Sequence, residues 1–223
     1  MMINLLKYFG LNQLNYYLIV INKNTKIFCS FSSNPGNNGC EFFNNKFQQN
    51  NINAIYKSFY SDNILKSIEA VKTLDIAGFA VSMPFKKEIL QYLDEIDPNA
   101  SCIGAVNTVV NKNGYLKGYN TDWVGVYSYL SQLNINFINI IGDGGFSKAV
   151  QFALGKLNIP FYIVTRKNWY ELSNLNGVLF NATPLEIESS NILIDGRPFT
   201  KHGKQIALLQ AEEQFKIYTD GHY

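Results

Sequence analysis

The sequence predicts an α/β fold of two domains: a mostly parallel sheet, then a smaller strand–turn–helix unit. Two observations predict it. From Lys26 to Leu133, short apolar runs alternate with amphipathic segments, the pattern of strands joined by crossover helices. A glycine cluster, Gly142-Asp143-Gly144-Gly145, then stands between a continuous apolar run and another amphipathic segment. At 223 residues the chain can build one large core or two small ones.

The elements follow in order. Lys26 to Phe31 alternates and is rich in Ile, Phe and Cys, so it is the first strand. Asn34 to Gly39 is a Pro/Gly/Asn loop, and Cys40 to Gln49 a helix with Phe42, Phe43 and Phe47 inward. Ile52 to Phe59 is a second strand. Asp62 to Thr73 is a helix with Ile64, Leu65, Ile68 and Val71 on one face. Ile76, Ala80, Val81 and Met83 mark a short buried strand. Pro84 suits the first position of a helix, and Phe85, Ile89, Leu90 and Leu93 continue at helical spacing. Ala105 to Val110 and Tyr115 to Tyr119 are strands joined by a hairpin turn, Asn113-Gly114. Trp123 to Leu133 is the connecting helix. The second unit reads as strand Phe137 to Ile141, helix Phe146 to Leu157 and strand Phe161 to Val164. Gly203 to Tyr218 is the final helix.

Several polar groups stand at the ends of these runs. Lys86 and Lys87 fall in the first turn after Pro84, where the helix potential disfavours cations. Either both are solvated, or one is kept there for proton transfer. Asp122 opens a helix and suits an N-cap, and Asn107 suits a satisfied amide inside the sheet. Gly142 permits a tight turn, and Gly144 lets backbone approach a pyrophosphate at a helix N-terminus. Asp143 is unexpected there, because a carboxylate repels that ligand. Arg166 and Lys167 stand about 20 residues past the first glycine, where an acid would read the ribose of NAD. Two cations there suit a 2′-phosphate, or are simply exposed.

Composition excludes several classes. A net charge of +2 and the absence of any basic run argue against nucleic acid. Two histidines near the C-terminus, His202 and His222, argue against a histidine-based triad. Cys29, Cys40 and Cys102 are scattered, which fits a reducing compartment and no metal site. Tyr8 to Asn22 is uncharged but carries Asn and Gln, and is shorter than the roughly 20 apolar residues of a membrane span. A cytoplasmic protein, monomer or homodimer, is expected, with residues 1–20 as an extension.

The runs VSMPFKK, GAVNTVV and NTDWVG, in this order, resemble the shikimate/quinate dehydrogenase family. That family carries V-T-x-P-x-K, A-x-N-T and N-T-D-x-x-G, and three ordered motifs are more specific than one. The resemblance resumes at IIGDGGFSKAV, NATPL and LLQAEEQF. The SMPFK form and the INKNTKIFCSFSSNPGNNG opening look most like the shikimate dehydrogenase-like branch. It implies a substrate-binding and catalytic domain over 1–133, with the helix 203–223 packing back. A shortened Rossmann-like NADP-binding domain would cover 134–202.

The resemblance also implies roles. Lys86 would exchange a proton with the reacting hydroxyl, and Asp122 would pair with Lys86 at the same place. Asn38, Ser82, Asn107 and Gln210 would bind a small substrate, a shikimate-like carboxylate. NADP would be held by Gly142, Gly144, Gly145, Phe146 and Ser147, by Thr165, Arg166 and Lys167, and by Asn181, Ala182 and Thr183. The implied reaction is reversible reduction of a ring ketone, 3-dehydroshikimate or a relative, by NADPH.

The chain departs from the family in places. Counting back from Asn45, matched to the family's helix asparagine, puts Asn38 and Cys40 where two hydroxyls bind the substrate carboxylate. Ala80 stands for an asparagine and Ser82 for a threonine. The links from Lys167 to Asn181 and from Glu186 to Gly203 are short, so the cofactor sheet is expected to keep four or five strands. Two readings follow: a low-efficiency dehydrogenase, or a binding or regulatory protein that kept the fold and lost turnover.

Overall fold

Alternation in the first strand becomes two buried faces. In the computed structural model, which describes residues 21–221, β1 (Lys26–Ser32) sends Phe28 into one core and Cys29 and Phe31 into another. The expected extension, residues 1–20, lies outside the described part. Around β1 forms a six-stranded sheet from β2 (Ala54–Tyr60), β3 (Gly78–Val81), β4 (Glu95–Ile96), β5 (Thr108–Lys112) and β6 (Tyr115–Tyr119), in the order β2-β1-β3-β5-β6-β4. β1 pairs parallel with β2 and β3, as expected for crossover helices. β5 runs antiparallel to both β3 and β6. The hairpin turn is the expected one: Asn113 and Gly114 take φ of 55° and 86°, which Asn-Gly tolerates best.

The helices cover the two faces by their own periodicity. α1 (Asn38–Gln49) buries Phe43 and Phe47 beside Phe28 and Tyr56. α2 (Ile64–Thr73) buries Ile64, Ile68 and Val71 on the opposite face, and Asn63 caps it by accepting from the Lys66 N–H at 3.0 Å. Leu65 is exposed instead of joining that face.

Three local expectations change. The strand before Pro84 stops at Val81, and Met83 is 63% exposed. The helix after Pro84 is one turn, α3 (Phe85–Glu88), followed by a 3₁₀ turn over Ile89–Tyr92. β5 begins at Thr108 instead of Ala105. A helix not foreseen, α4 (Pro98–Ile103), stands between β4 and β5. Asp97 caps it by accepting from Asn99 and Ala100, Pro98 opens it, and Gly104 ends it at φ 69°.

The second sheet is parallel throughout: β7 (Ile138–Ile141), β8 (Phe161–Val164), β9 (Val178–Asn181) and β10 (Ile192–Asp195), ordered β10-β9-β7-β8. It therefore keeps four strands, the lower of the two numbers expected. The short link from β8 to β9 is a 3₁₀ turn, Trp169–Asn174. α6 (Gly145–Leu157) buries Ala149, Val150, Ala153 and Leu154.

α5 (Asp122–Leu130) and α7 (Lys201–Tyr218) tie the two sheets together. α7 gives Ile206 to the second core, and Ala211, Phe215 and Tyr218 to the first. The two helices meet at backbone distance: a Cβ on Gly125 would lie 2.6 Å from the Ile206 carbonyl oxygen. Among the described residues, no helix is long and apolar enough to cross a membrane, and no group of three His, Cys, Asp or Glu could hold a metal.

Candidate active site

The backbone sets Lys86 before its side chain acts. It lies in the one-turn α3, and its carbonyl accepts the Val106 N–H at 2.8 Å, pinning α3 to the chain just before β5. Its Nζ lies 2.5 Å from Asp122 Oδ2, with side-chain exposures of 19% and 9%. Asp122 is not the N-cap. Thr121 holds that position without a side-chain cap bond, so the Asp122 carboxylate is free to receive Lys86 and Asn107.

The side chain of Asn107, just ahead of β5, joins three elements, β5, α5 and α7. Its Nδ2 lies 2.9 Å from Asp122 Oδ1, 3.0 Å from Thr121 Oγ1 and 3.0 Å from Gln210 Oε1 on α7. Two hydrogens serve three acceptors, so these bonds are shared. Its Oδ1 accepts from the Thr121 N–H and from the Thr108 hydroxyl, each at 2.8 Å. The Thr121 hydroxyl also reaches Gln210 Oε1 at 3.0 Å. Lys86, Asp122, Asn107 and Gln210 are thus brought together. Thr108 and Thr121 join them, although neither was singled out from the sequence.

Ser82 and Asn38 stay outside this network and are exposed. Cys40 contacts the Ser58 hydroxyl at 3.3 Å. The asparagine that docks α1 on β2 is Asn44: its Nδ2 donates to the Tyr56 carbonyl at 2.9 Å, and its Oδ1 accepts the Tyr56 N–H at 2.8 Å. Asn45 is exposed. Adjacent asparagines read alike in sequence, and counting back from Asn44 moves the two loop places to Asn37 and Gly39.

The glycine turn borders this cluster. Gly142 has φ 111°, and a Cβ there would lie 2.8 Å from Thr183 Cγ2, so glycine is required. The buried Ser147 closes the turn by donating to the Gly142 carbonyl at 2.7 Å. An added Cβ at Gly144 would meet nothing within 4 Å, the open approach a pyrophosphate needs. A Cβ at Gly145 would lie 4.0 Å from Lys86 Cβ and 3.8 Å from Ala105 Cβ, so α6 starts against the lysine turn. Phe146 packs toward Phe180, and Asp143 is exposed.

The flanking loops are held by their own asparagines. Asn181 Oδ1 accepts the Thr183 N–H at 3.0 Å and its hydroxyl at 2.8 Å, and the Ala182 N–H donates to Ile141 at 2.9 Å. The Thr165 N–H donates to Asn168 Oδ1 at 2.7 Å, which leaves Arg166 and Lys167 exposed on the loop between. These residues fit a dinucleotide with a charged ribose substituent.

Residues 39–109 match the family described as shikimate dehydrogenase substrate binding domain. The chain is 36% identical over 182 residues to the shikimate dehydrogenase-like protein of Haemophilus influenzae, covering 79% of this chain and 67% of that one. It is 47% identical over 117 residues to the shikimate dehydrogenase (NADP(+)) of Alkaliphilus metalliredigens, spanning 50% of this chain and 41% of that relative. A solved shikimate 5-dehydrogenase-like protein superposes with a TM-score of 0.74 at 30% identity, covering 90% of this chain and 93% of that one.

Proposed function

Because the chain belongs to the shikimate dehydrogenase family, we propose that it is an NADP-dependent oxidoreductase interconverting 3-dehydroshikimate and shikimate, or a related cyclic hydroxy acid, at low efficiency. The first sheet with α7 would carry the substrate, and the four-stranded sheet the cofactor. One observation carries the reading. Lys86, Asp122, Asn107 and Gln210, drawn from separate elements, converge beside a glycine turn.

The bound nicotinamide would supply or accept the hydride. The chain would supply the rest. Lys86 gives the ketone oxygen its proton on reduction, and takes it back on oxidation. An ammonium has three donors, and the pair with Asp122 uses one. Asp122 holds Lys86 in place and accepts from the same hydroxyl region. Asn107 fixes the Asp122 carboxylate, and Gln210 orients the ring. Arg166 and Lys167 take the 2′-phosphate.

The second reading is a binding protein without turnover. The exposed carboxylate of Asp143 in the glycine turn favours it, as does the four-stranded cofactor sheet. A coupled NADP/NAD assay against shikimate and quinate, with an NADPH titration, separates them. Slow NADP-dependent oxidation of shikimate with a high KM is expected. Substrate binding with no turnover under either cofactor would establish the second reading.

A further inference from the structure

An amide side chain offers a donor at one end and an acceptor at the other, and its neighbours decide which end faces a ligand. At Asn107 a backbone group decides. The Thr121 N–H can only donate, and it reaches Asn107 Oδ1 at 2.8 Å. The Thr108 hydroxyl fills the second lone pair of that oxygen, also at 2.8 Å. Asn107 therefore turns Nδ2 toward Asp122 and Gln210. Gln210 meets that donor with its oxygen, and Oε1 lies 3.0 Å from Asn107 Nδ2.

The Thr121 hydroxyl makes the same choice a second time. Asn107 Oδ1 is already filled and lies 3.3 Å away, so the hydroxyl gives its hydrogen to Gln210 Oε1 at 3.0 Å. Turning the Gln210 amide over would set its own N–H groups against both donors. Nε2 has no protein partner among the described residues, and Gln210 is half-buried, so the open end of the amide is a donor.

α5 also sets how close Gln210 comes. Gly125 stands one turn beyond Thr121, and its N–H donates to the Thr121 carbonyl at 3.1 Å. A Cβ on Gly125 would lie 2.9 Å from Gln210 Cβ and 3.0 Å from its backbone nitrogen. The missing side chain is what lets α7 bring Gln210 down to the Thr121 hydroxyl.

We propose that Thr121 is a positioning residue: its hydroxyl holds the Gln210 amide with Nε2 toward the substrate, so that Gln210 donates to a ring oxygen. The inference deepens the substrate reading above and rests on it. Without the hydroxyl, Asn107 keeps its orientation through the backbone N–H, whereas Gln210 loses one of the two donors that hold it.

The test is a double-mutant cycle, Thr121→Val with Gln210→Ala, read as the Kd for shikimate by calorimetry without cofactor and as KM and kcat. Thr121→Val should weaken shikimate by about two- to tenfold, the span of one neutral hydrogen bond, with KM rising more than kcat falls. Thr121→Ser should restore the parent value. Once Gln210 is alanine, Thr121→Val should cost nothing further, because the hydroxyl acts through that amide. Additive losses in the double variant, or a Thr121→Ser as weak as Thr121→Val, would reduce Thr121 to a structural residue and overturn the proposal. The side-chain N–H signals of Gln210 by NMR decide the point in the parent alone. They should shift on adding shikimate, and signals that stay in place would overturn the proposal even if Thr121→Val failed to fold. A parent that binds shikimate without turnover would overturn the oxidoreductase reading, with the cycle still read in Kd. A parent without affinity for shikimate would overturn both.

Discussion

The lysine cluster and the glycine turn touch, yet they are built by opposite means. In the cluster, side chains hold side chains: Lys86, Asp122, Asn107, Thr121 and Gln210 each have a partner from another element. Around Gly142 the backbone would be the site, and the side chains there fold onto their own loops: Ser147 onto Gly142, Asn181 onto Thr183, Asn168 onto Thr165. The first region should be sensitive to removing atoms. The second should be sensitive to adding them.

The largest effect expected is at Lys86. Lys86→Ala should lower kcat by about 10²–10⁴-fold, the range for a lost acid–base group. Lys87, exposed one residue on, should tolerate the same change. Steady-state kinetics on both variants checks this, and equal losses would dissolve the idea of a cluster built around one lysine.

The converse test adds one methyl group. Gly142→Ala places a Cβ at φ 111° and 2.8 Å from Thr183 Cγ2. Backbone strain of this kind costs about 1–3 kcal/mol, so NADPH should bind roughly 10- to 100-fold more weakly by calorimetry. Shikimate binding without cofactor should be unchanged. A Gly142→Ala variant with parent NADPH affinity would mean the turn is not the nucleotide site.

The same asymmetry explains what the sequence could disclose. The cluster was legible because each member belongs to a run with its own signature: Lys86 after Pro84, Asn107 in AVNT, Asp122 in NTD. Thr108 and Thr121 sit in those runs without a signal of their own, since a threonine beside a strand reads as propensity and not as a hydrogen-bond partner. Asn44 and Asn45 could not be told apart, because helical phase alone decides which faces β2. α4 had a full signature in Asp97, Pro98 and Gly104, but at six residues it shows no periodicity. β10 was hidden because a four-residue apolar run after a loop has no pattern to distinguish it.

A smaller effect is expected at the ribose loop. Arg166 is exposed, so a bond from it to a 2′-phosphate would be partly screened. Arg166→Ala should weaken NADPH by about tenfold and leave NADH nearly unchanged, at the low end for charge-assisted bonds. Equal affinity of the parent protein for the two cofactors would refute the assignment.

The smallest effect is at Asp143, and it runs the other way. Its carboxylate stands immediately before Gly144, the residue at the N-cap of α6. A pyrophosphate at that helix end would gain from the helix potential and lose to the carboxylate. Asp143 is exposed and water screens it, so the repulsion is small and salt-dependent. Asp143→Asn keeps the size and removes the charge. NADPH affinity should rise by about two- to fivefold at low ionic strength, the scale of an exposed charge at a helix end, and the gain should shrink as salt is added. Calorimetry at two salt concentrations reads this directly. A gain that ignored salt would point to altered loop shape. No gain at low salt would show that the carboxylate turns away from the nucleotide, and the glycine turn would then be as hospitable as its backbone suggests.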